Sequence, residues 1–172
     1  MHVKYAYLDK QFANFEDYLP TLRELVASGE YTLGPYVEKF EKKFAKFLDC
    51  KHVIGMNTGT DALIVALKAL GVGPGDEVIT VANTFYATVG AIVAVGASPV
   101  FVDSDERYQI QVSSIESVIT DKTKAILPVH WAGCPADMTS ILSIAQRNGL
   151  KVVEDACPAL GATIDGKACG TF

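Results

Sequence analysis

No stretch of about 18 apolar residues occurs in this chain of 172 residues, so a membrane-spanning helix is not expected. Cysteine is scarce and scattered. Cys50, Cys134, Cys157 and Cys169 form no Cys-x-x-Cys pair, which argues against a zinc cluster or a disulfide framework. Free thiols in a reducing compartment are expected instead, and with them a cytoplasmic location. His2, His52 and His130 are equally dispersed, and no metal site is expected. Basic residues are not in surplus: the net charge of −5 offers nucleic acid no partner. Gly-x-Gly-x-x-Gly and the Walker phosphate loop are both missing, which removes the main support for a dinucleotide fold or an NTPase. Met1 to Lys10 lacks the apolar core of a signal peptide. There is no internal repeat and no low-complexity segment.

What is present is alternation. Apolar positions at Phe15, Leu19, Leu22, Leu25 and Val26 have helical spacing, and Ser28-Gly29 closes that helix. Pro35 opens a second helix, whose stripe of Val37, Phe40, Phe44, Phe47 and Leu48 reads as core packing. His52 to Gly55 reads as a short strand. A turn of small residues, Asn57 to Thr60, leads into a helix with Leu63, Ala66, Leu67 and Leu70 on its buried face. Strand Glu77 to Val81 follows, then an Ala- and Val-rich helix, Thr84 to Val95, apolar nearly all round and so expected to be buried on more than one side. Further strands fall at Ser98 to Val102, Lys124 to Val129 and Lys151 to Glu154. Between them lie a short helix, Ser113 to Ile119, with a Ser113/Glu116 capping box, and a helix from Asp137, its cap, to Gly149, its stop. Asp165-Gly166 centres a hairpin over Ala162 to Cys169.

Strands alternating with helices of about a dozen residues imply a mostly parallel α/β sheet with helices on both faces. Ligands of such sheets sit at the carboxyl ends of the strands. Small and polar residues gather there: Asn57 to Thr60, Asn83 to Phe85, Asp103, His130 to Gly133 and Asp155.

Three of these ends carry recognisable chemistry. Lys151-Val152-Val153-Glu154-Asp155 delivers two carboxylates into a turn. A carboxylate buried at a strand end needs a partner. A protonated pyridine nitrogen is one, although Asp155 equally suits a helix N-cap. Gly59 and Thr60 open a helix, where free amides and a hydroxyl receive a phosphate, although an ordinary Thr or Asp cap has the same look. Phe85, with Tyr86 beside it, suits the face of a flat ring, or the core. His130 reads as a hydrogen-bonded structural histidine rather than a base, and Trp131 as a pocket wall or a subunit contact. A phosphate cradle, a stacking ring and a carboxylate for a ring nitrogen are together the needs of pyridoxal 5'-phosphate.

The chain resembles the N-terminal portion of the DegT/DnrJ/EryC1/StrS sugar aminotransferases, which have the aspartate-aminotransferase type of fold. The stretches that carry the resemblance are Tyr31-Thr32-Leu33-Gly34-Pro35 with Val37, Phe40 and Glu41; Asn57-Thr58-Gly59-Thr60-Asp61-Ala62-Leu63; Gly73-Pro74-Gly75-Asp76-Glu77-Val78; Thr84-Phe85 with Ala87-Thr88; Pro128-Val129-His130 with Gly133, Pro135, Ala136, Asp137 and Met138; and Glu154-Asp155-Ala156. The resemblance implies an N-terminal arm and helix over 1–35 and part of the large pyridoxal-phosphate domain over 36–172, with the C-terminal domain absent. It implies Asp155 against the pyridinium nitrogen, Gly59 and Thr60 on the phosphate and Phe85 on the ring. It also implies Gly34 near a nucleotide-sugar and the subunit contact, and a homodimer. The reaction implied is transfer of an amino group from glutamate or glutamine to a nucleotide-linked keto-sugar. A dehydratase of the same family, or a non-catalytic fragment serving as an interaction module, is the alternative.

Two features depart from the family pattern. Three residues after the Asp the family carries Gln or His; here stands Pro158, without a donor. The Schiff-base lysine is expected beyond Phe172, since Lys167 comes too early and Lys151 opens a strand; the end at Thr171-Phe172 reads as cut off.

Overall fold

The structure, a computed structural model, describes residues 6–172. The loose start expected over Met1 to Gln11 therefore lies partly outside the described residues; its end forms a one-turn helix, α1 (Leu8–Gln11). The helix expected from Phe15 is divided: a 3-10 turn, Phe15–Tyr18, precedes α2 (Leu19–Ser28). Pro20 sits in the first turn of α2, where a missing N–H costs nothing, and Gly29 ends it in the left-handed region. α3 (Pro35–Leu48) follows.

The Phe stripe of α3 is not core. No residue of α1, α2 or α3 is buried, and Phe40 and Phe47 are more than half exposed. The rings stack on one another instead, Phe40 on Phe44 at 5.3 Å and Phe44 on Phe47 at 6.0 Å. Periodicity identified the apolar side of the helix correctly, but among the described residues it is covered only in part: Val37, Phe44 and Leu48 are half-buried, Phe40 and Phe47 exposed. The strand expected at His52 to Gly55 is also missing. That segment joins neither of the two sheets of the described residues, and the Gly55 N–H donates to Glu41 Oε1 at 2.7 Å.

The α/β unit begins at α4 (Gly59–Ala69) and runs through β1 (Glu77–Val81), α5 (Tyr86–Ala94), β2 (Ser98–Val102), α6 (Val112–Ile115), β3 (Thr123–Ile126), α7 (Met138–Asn148) and β4 (Lys151–Val152). The four strands are parallel, in the order β2-β1-β3-β4. Right-handed crossovers then put α5 on one face and α6 and α7 on the other. β1 is the centre of the core: Val78, Ile79 and Val81 are buried, and Ile79 lies opposite Val100 on β2 and Ile126 on β3. Burying each such side chain contributes about 1.5–3 kcal/mol. Gly96 is required where the chain turns into β2. Its φ is 86°, and a Cβ there would meet Pro74 Cγ at 2.9 Å.

Two local expectations need correction. α5 buries one face only, through Ala87, Thr88, Ala91 and Ile92, while Tyr86 and Val93 are exposed. α6 begins at Val112 with Gln111 before it, so Ser113 caps nothing. The capping box fails because Glu116 is drawn to α7, where Arg147 Nη2 donates to it at 2.9 Å. At α7 the expected cap holds: Asp137 Oδ1 accepts from the Ser140 N–H at 3.1 Å, and Gly149 closes the helix in the left-handed region. The hairpin β5 (Thr163–Ile164) and β6 (Lys167–Ala168) turns at Asp165-Gly166 as expected.

Candidate functional site

β1 connects leftward to β2, and the chain then returns to β3 on the other side of β1. The carboxyl ends of β1 and β3 therefore diverge, and that is where open parallel sheets take ligands. A cavity of about 350 Å³ lies there, lined by Thr58, Gly59, Thr60, Leu63, Thr84, Phe85, Ala87, Val129, Trp131, Asp155, Cys157 and Pro158. The four residues expected from the sequence, Gly59, Thr60, Phe85 and Asp155, all line this one cavity. Trp131 forms part of its wall. Asp103 follows β2 and does not line it.

Asp155 is only 6% exposed. The ladder between β3 and β4 is interrupted and then resumes as a parallel bridge between Val129 and Asp155. The Asp155 N–H donates to Pro128 O at 2.9 Å, and the His130 N–H donates to Asp155 O at 3.1 Å. Its carboxylate takes the Thr88 hydroxyl at 2.6 Å on Oδ2 and a long contact of 3.4 Å from the Cys157 N–H on Oδ1. The short 3-10 turn at Cys157–Ala159 has Ala156 at its cap position, so Asp155 is not an N-cap. Among the described residues it joins no ion pair. A buried carboxylate without a cation, facing an apolar cavity, is a receptor for a ligand group carrying N–H or positive charge.

The capping reading of the Asn57–Asp61 turn holds at Thr58 and leaves the next two residues uncommitted. Thr58 is the cap: its Oγ1 accepts from the Asp61 N–H at 3.1 Å and donates to Asp61 Oδ2 at 3.0 Å. The N–H groups of Gly59 and Thr60, and the Thr60 hydroxyl, have no protein partner among the described residues. Free amides at the positive end of an 11-residue helix suit an anion. A Cβ at Gly59 would stand 3.0 Å from Cys157 Sγ, so glycine lets the turn and the Cys157 loop close on each other. Desolvation, and after it the Asp155 carboxylate, push the Cys157 thiol up, keeping it neutral.

Phe85 precedes α5 and is 59% exposed, with its ring 4.2 Å from that of Tyr86. Two residues before Phe85, Asn83 Nδ2 is buried and without a partner among the described residues. His130 is structural, as the sequence suggested. The Ala136 N–H donates to Nδ1 at 3.0 Å, which places the ring proton on Nε2, and Nε2 donates to Glu154 Oε2 at 2.9 Å. Glu154 also accepts from the N–H of Gly170 at 2.8 Å and of Phe172 at 2.6 Å. Burial raises its pKa, but His130 and then these two amides outweigh it and hold the carboxyl below its ordinary value.

Thr88 was not singled out from the sequence. The signal was there: a hydroxyl at the same helical face as Ala91 and Ile92, in a helix otherwise made of small and apolar residues, must find a partner. Among the described residues no group of His, Cys, Asp and Glu is arranged to hold a metal, and no helix is long and apolar enough to cross a membrane.

Fold and cavity together define a parallel α/β protein whose sheet carries, at its switch point, a cavity lined by a buried carboxylate and by free amides at a helix N-terminus. The chain belongs to the DegT/DnrJ/EryC1/StrS aminotransferase family, which it matches over residues 14–172. It is 44% identical over 167 residues to the UDP-N-acetyl-3-dehydro-alpha-D-glucosamine 3-aminotransferase of Acidithiobacillus ferrooxidans, covering 96% of this chain and 45% of that protein. The crystal structure of DesV from S. venezuelae in complex with a ketimine intermediate superposes with a TM-score of 0.94 at 40% identity, over 99% of this chain and 46% of that one. NtdA from Bacillus subtilis with bound cofactor PMP gives a TM-score of 0.86 at 47% identity, over 90% and 36%. The chain thus spans less than half the length of these relatives.

Proposed function

We propose that the whole protein is a pyridoxal-phosphate-dependent aminotransferase that moves an amino group from glutamate or glutamine onto a nucleotide-linked keto-sugar. The observation that carries this reading is convergence: one cavity holds Asp155, the free amides of Gly59 and Thr60, and the Phe85 ring. In this reading Asp155 faces the pyridine nitrogen, Gly59 and Thr60 receive the phosphate, and Phe85 covers the ring. The cofactor supplies an electron sink when bound. Thr88 keeps the Asp155 carboxylate aimed by donating to one oxygen, and Leu63, Ala87, Val129 and Trp131 exclude water. The UDP-sugar in the name of the Acidithiobacillus relative supports a nucleotide-linked substrate.

No lysine lines the cavity. Lys151 is exposed where β4 begins, and Lys167 Nζ lies 4.5 Å from the Phe172 ring centre. We therefore assign the Schiff-base lysine to a part of the protein outside these residues. The exposed apolar side chains of α2 and α3, Leu22, Val26, Phe40 and Phe47, are assigned to the contact of a homodimer. The free thiols support a cytoplasmic location.

The test uses the full-length gene product. It should take up pyridoxal phosphate with a visible absorbance band and aminate a nucleotide-linked keto-sugar, and Asp155→Asn should abolish turnover. Turnover at the wild-type rate in that variant would overturn the assignment. A histidine in place of the Schiff-base lysine would replace the aminotransferase by the dehydratase.

A further inference from the structure

We infer that Gln109 is a positioning residue for the cavity: its side-chain amide holds the backbone of Trp131 and so sets where the indole stands in the cavity wall. The inference rests on the reading above only for what fills the cavity.

Gln109 is 1% exposed. A buried primary amide is costly unless its oxygen and both its hydrogens are used. All three are. Oε1 accepts from the Trp131 N–H at 3.1 Å, and Nε2 donates to Trp131 O at 3.2 Å and to Arg107 O at 3.0 Å. One amide thus pairs with both polar backbone groups of a single residue, as a neighbouring strand would. Its own place is fixed in turn. The Gln109 N–H donates to Asp105 Oδ1 at 2.9 Å, the Asp105 N–H donates to Gln109 O at 2.7 Å, and Tyr108 turns the loop between them with φ of 62°. The loop after β2 is therefore a bracket that reaches across to the turn after β3.

That turn needs holding. Ala132 has φ of 53° and Gly133 φ of 83°, two successive left-handed residues. A non-glycine residue in that region is strained by roughly 1–2 kcal/mol and persists only where its surroundings over-determine it. His130, on the other side of Trp131, is pinned by Ala136 and Glu154. Trp131 is thus fixed from both directions, and it shares the cavity wall with Phe85, Asp155 and Pro158. None of the hydrogen bonds of the Gln109 side chain reaches the cavity itself, so any effect of this residue on the site passes through Trp131.

Trp131 is the only tryptophan of these 172 residues, which gives a spectroscopic reading. In the full-length protein its emission is isolated by subtracting that of Trp131→Phe. Gln109→Met keeps the length and removes all three hydrogen bonds. Gln109→Glu keeps only the acceptor for the Trp131 N–H. In Gln109→Met, acrylamide quenching of Trp131 should rise by at least about twofold and the Kd for pyridoxal phosphate by roughly tenfold, the scale of one lost hydrogen bond. Gln109→Glu should fall between. If Gln109→Met does not fold, the glutamate variant decides alone. Quenching and Kd both within about twofold of wild type in a folded variant would overturn the inference. Should the wild-type protein bind no pyridoxal phosphate, the functional reading fails, while the quenching comparison still decides the role of Gln109.

Discussion

Thr88 gives its only hydroxyl proton to Asp155 Oδ2, at 2.6 Å. Thr84 Oγ1 lies 2.7 Å from the same Thr88 oxygen and must therefore be the donor in that contact. The proton order from Thr84 through Thr88 to Asp155 is fixed. It leaves Oδ1 as the less committed carboxylate oxygen, which accepts a long contact of 3.4 Å from the Cys157 N–H.

Thr88→Val should accordingly free the Asp155 side chain to rotate. A hydrogen bond to a charged group contributes about 1.5–3 kcal/mol, so affinity for pyridoxal phosphate should fall by roughly ten- to a hundredfold. Thr88→Ser should restore most of it. Spectrophotometric titration of the full-length protein measures both; equal affinity in the valine variant would show that Asp155 does not depend on Thr88.

Gly59→Ala should put a methyl group 3.0 Å from Cys157 Sγ. The Cys157 side chain must shift to admit it, and both residues line the cavity, so a loss of a few-fold in cofactor affinity is expected, with little change in melting temperature. In a Cys157→Ala background the same substitution should cost nothing. The double-mutant cycle reads the contact directly, and additive effects would deny it.

Glu154 predicts a pH dependence of stability. Burial would raise its pKa, but the donors His130, Gly170 and Phe172 bring it below the ordinary value. The unfolded chain therefore binds more protons between the folded value and about 4.3, and stability rises with pH across that window. The contribution is complete above the unfolded pKa and is lost as pH falls through the folded one. Glu154→Gln should lower stability by about 2 kcal/mol at neutral pH, and urea melts should show that difference shrinking as the medium is acidified below the ordinary carboxyl range.

Pro158→Gln should return a donor to the cavity wall at the position where the family pattern has one. One neutral hydrogen bond contributes about 0.5–1.5 kcal/mol, so cofactor affinity should improve by roughly two- to tenfold. Unchanged or weaker binding would mean that the proline is itself needed to shape the turn at Cys157–Ala159.

Much of the unit from α4 onward was legible because local rules and burial agree there. Glu77–Val81 and Ser98–Val102 have the predicted bounds, and Asp137 and Gly149 cap α7 as read. Gly59, Thr60, Phe85 and Asp155 stood out because each follows an apolar run in a crossover pattern. What escaped depended on distant partners. Whether His52 to Gly55 joins a sheet depends on a neighbour that no local pattern names. Glu116 abandons its capping box for an arginine 31 residues away. The amide of Gln109 meets Trp131 only after β2 and β3 are both in place. The Phe40–Phe47 stripe shows the limit from the other side, since its period specifies a face and not what covers it.

The first three helices contribute nothing to the interior, so little within the chain opposes their opening. Deuterium uptake along the backbone should be rapid there and slow sharply from α4 onward. If the exposed part of the α3 stripe is where two subunits meet, that uptake should also fall as protein concentration rises, and the exchange of these amides would then measure assembly without touching catalysis.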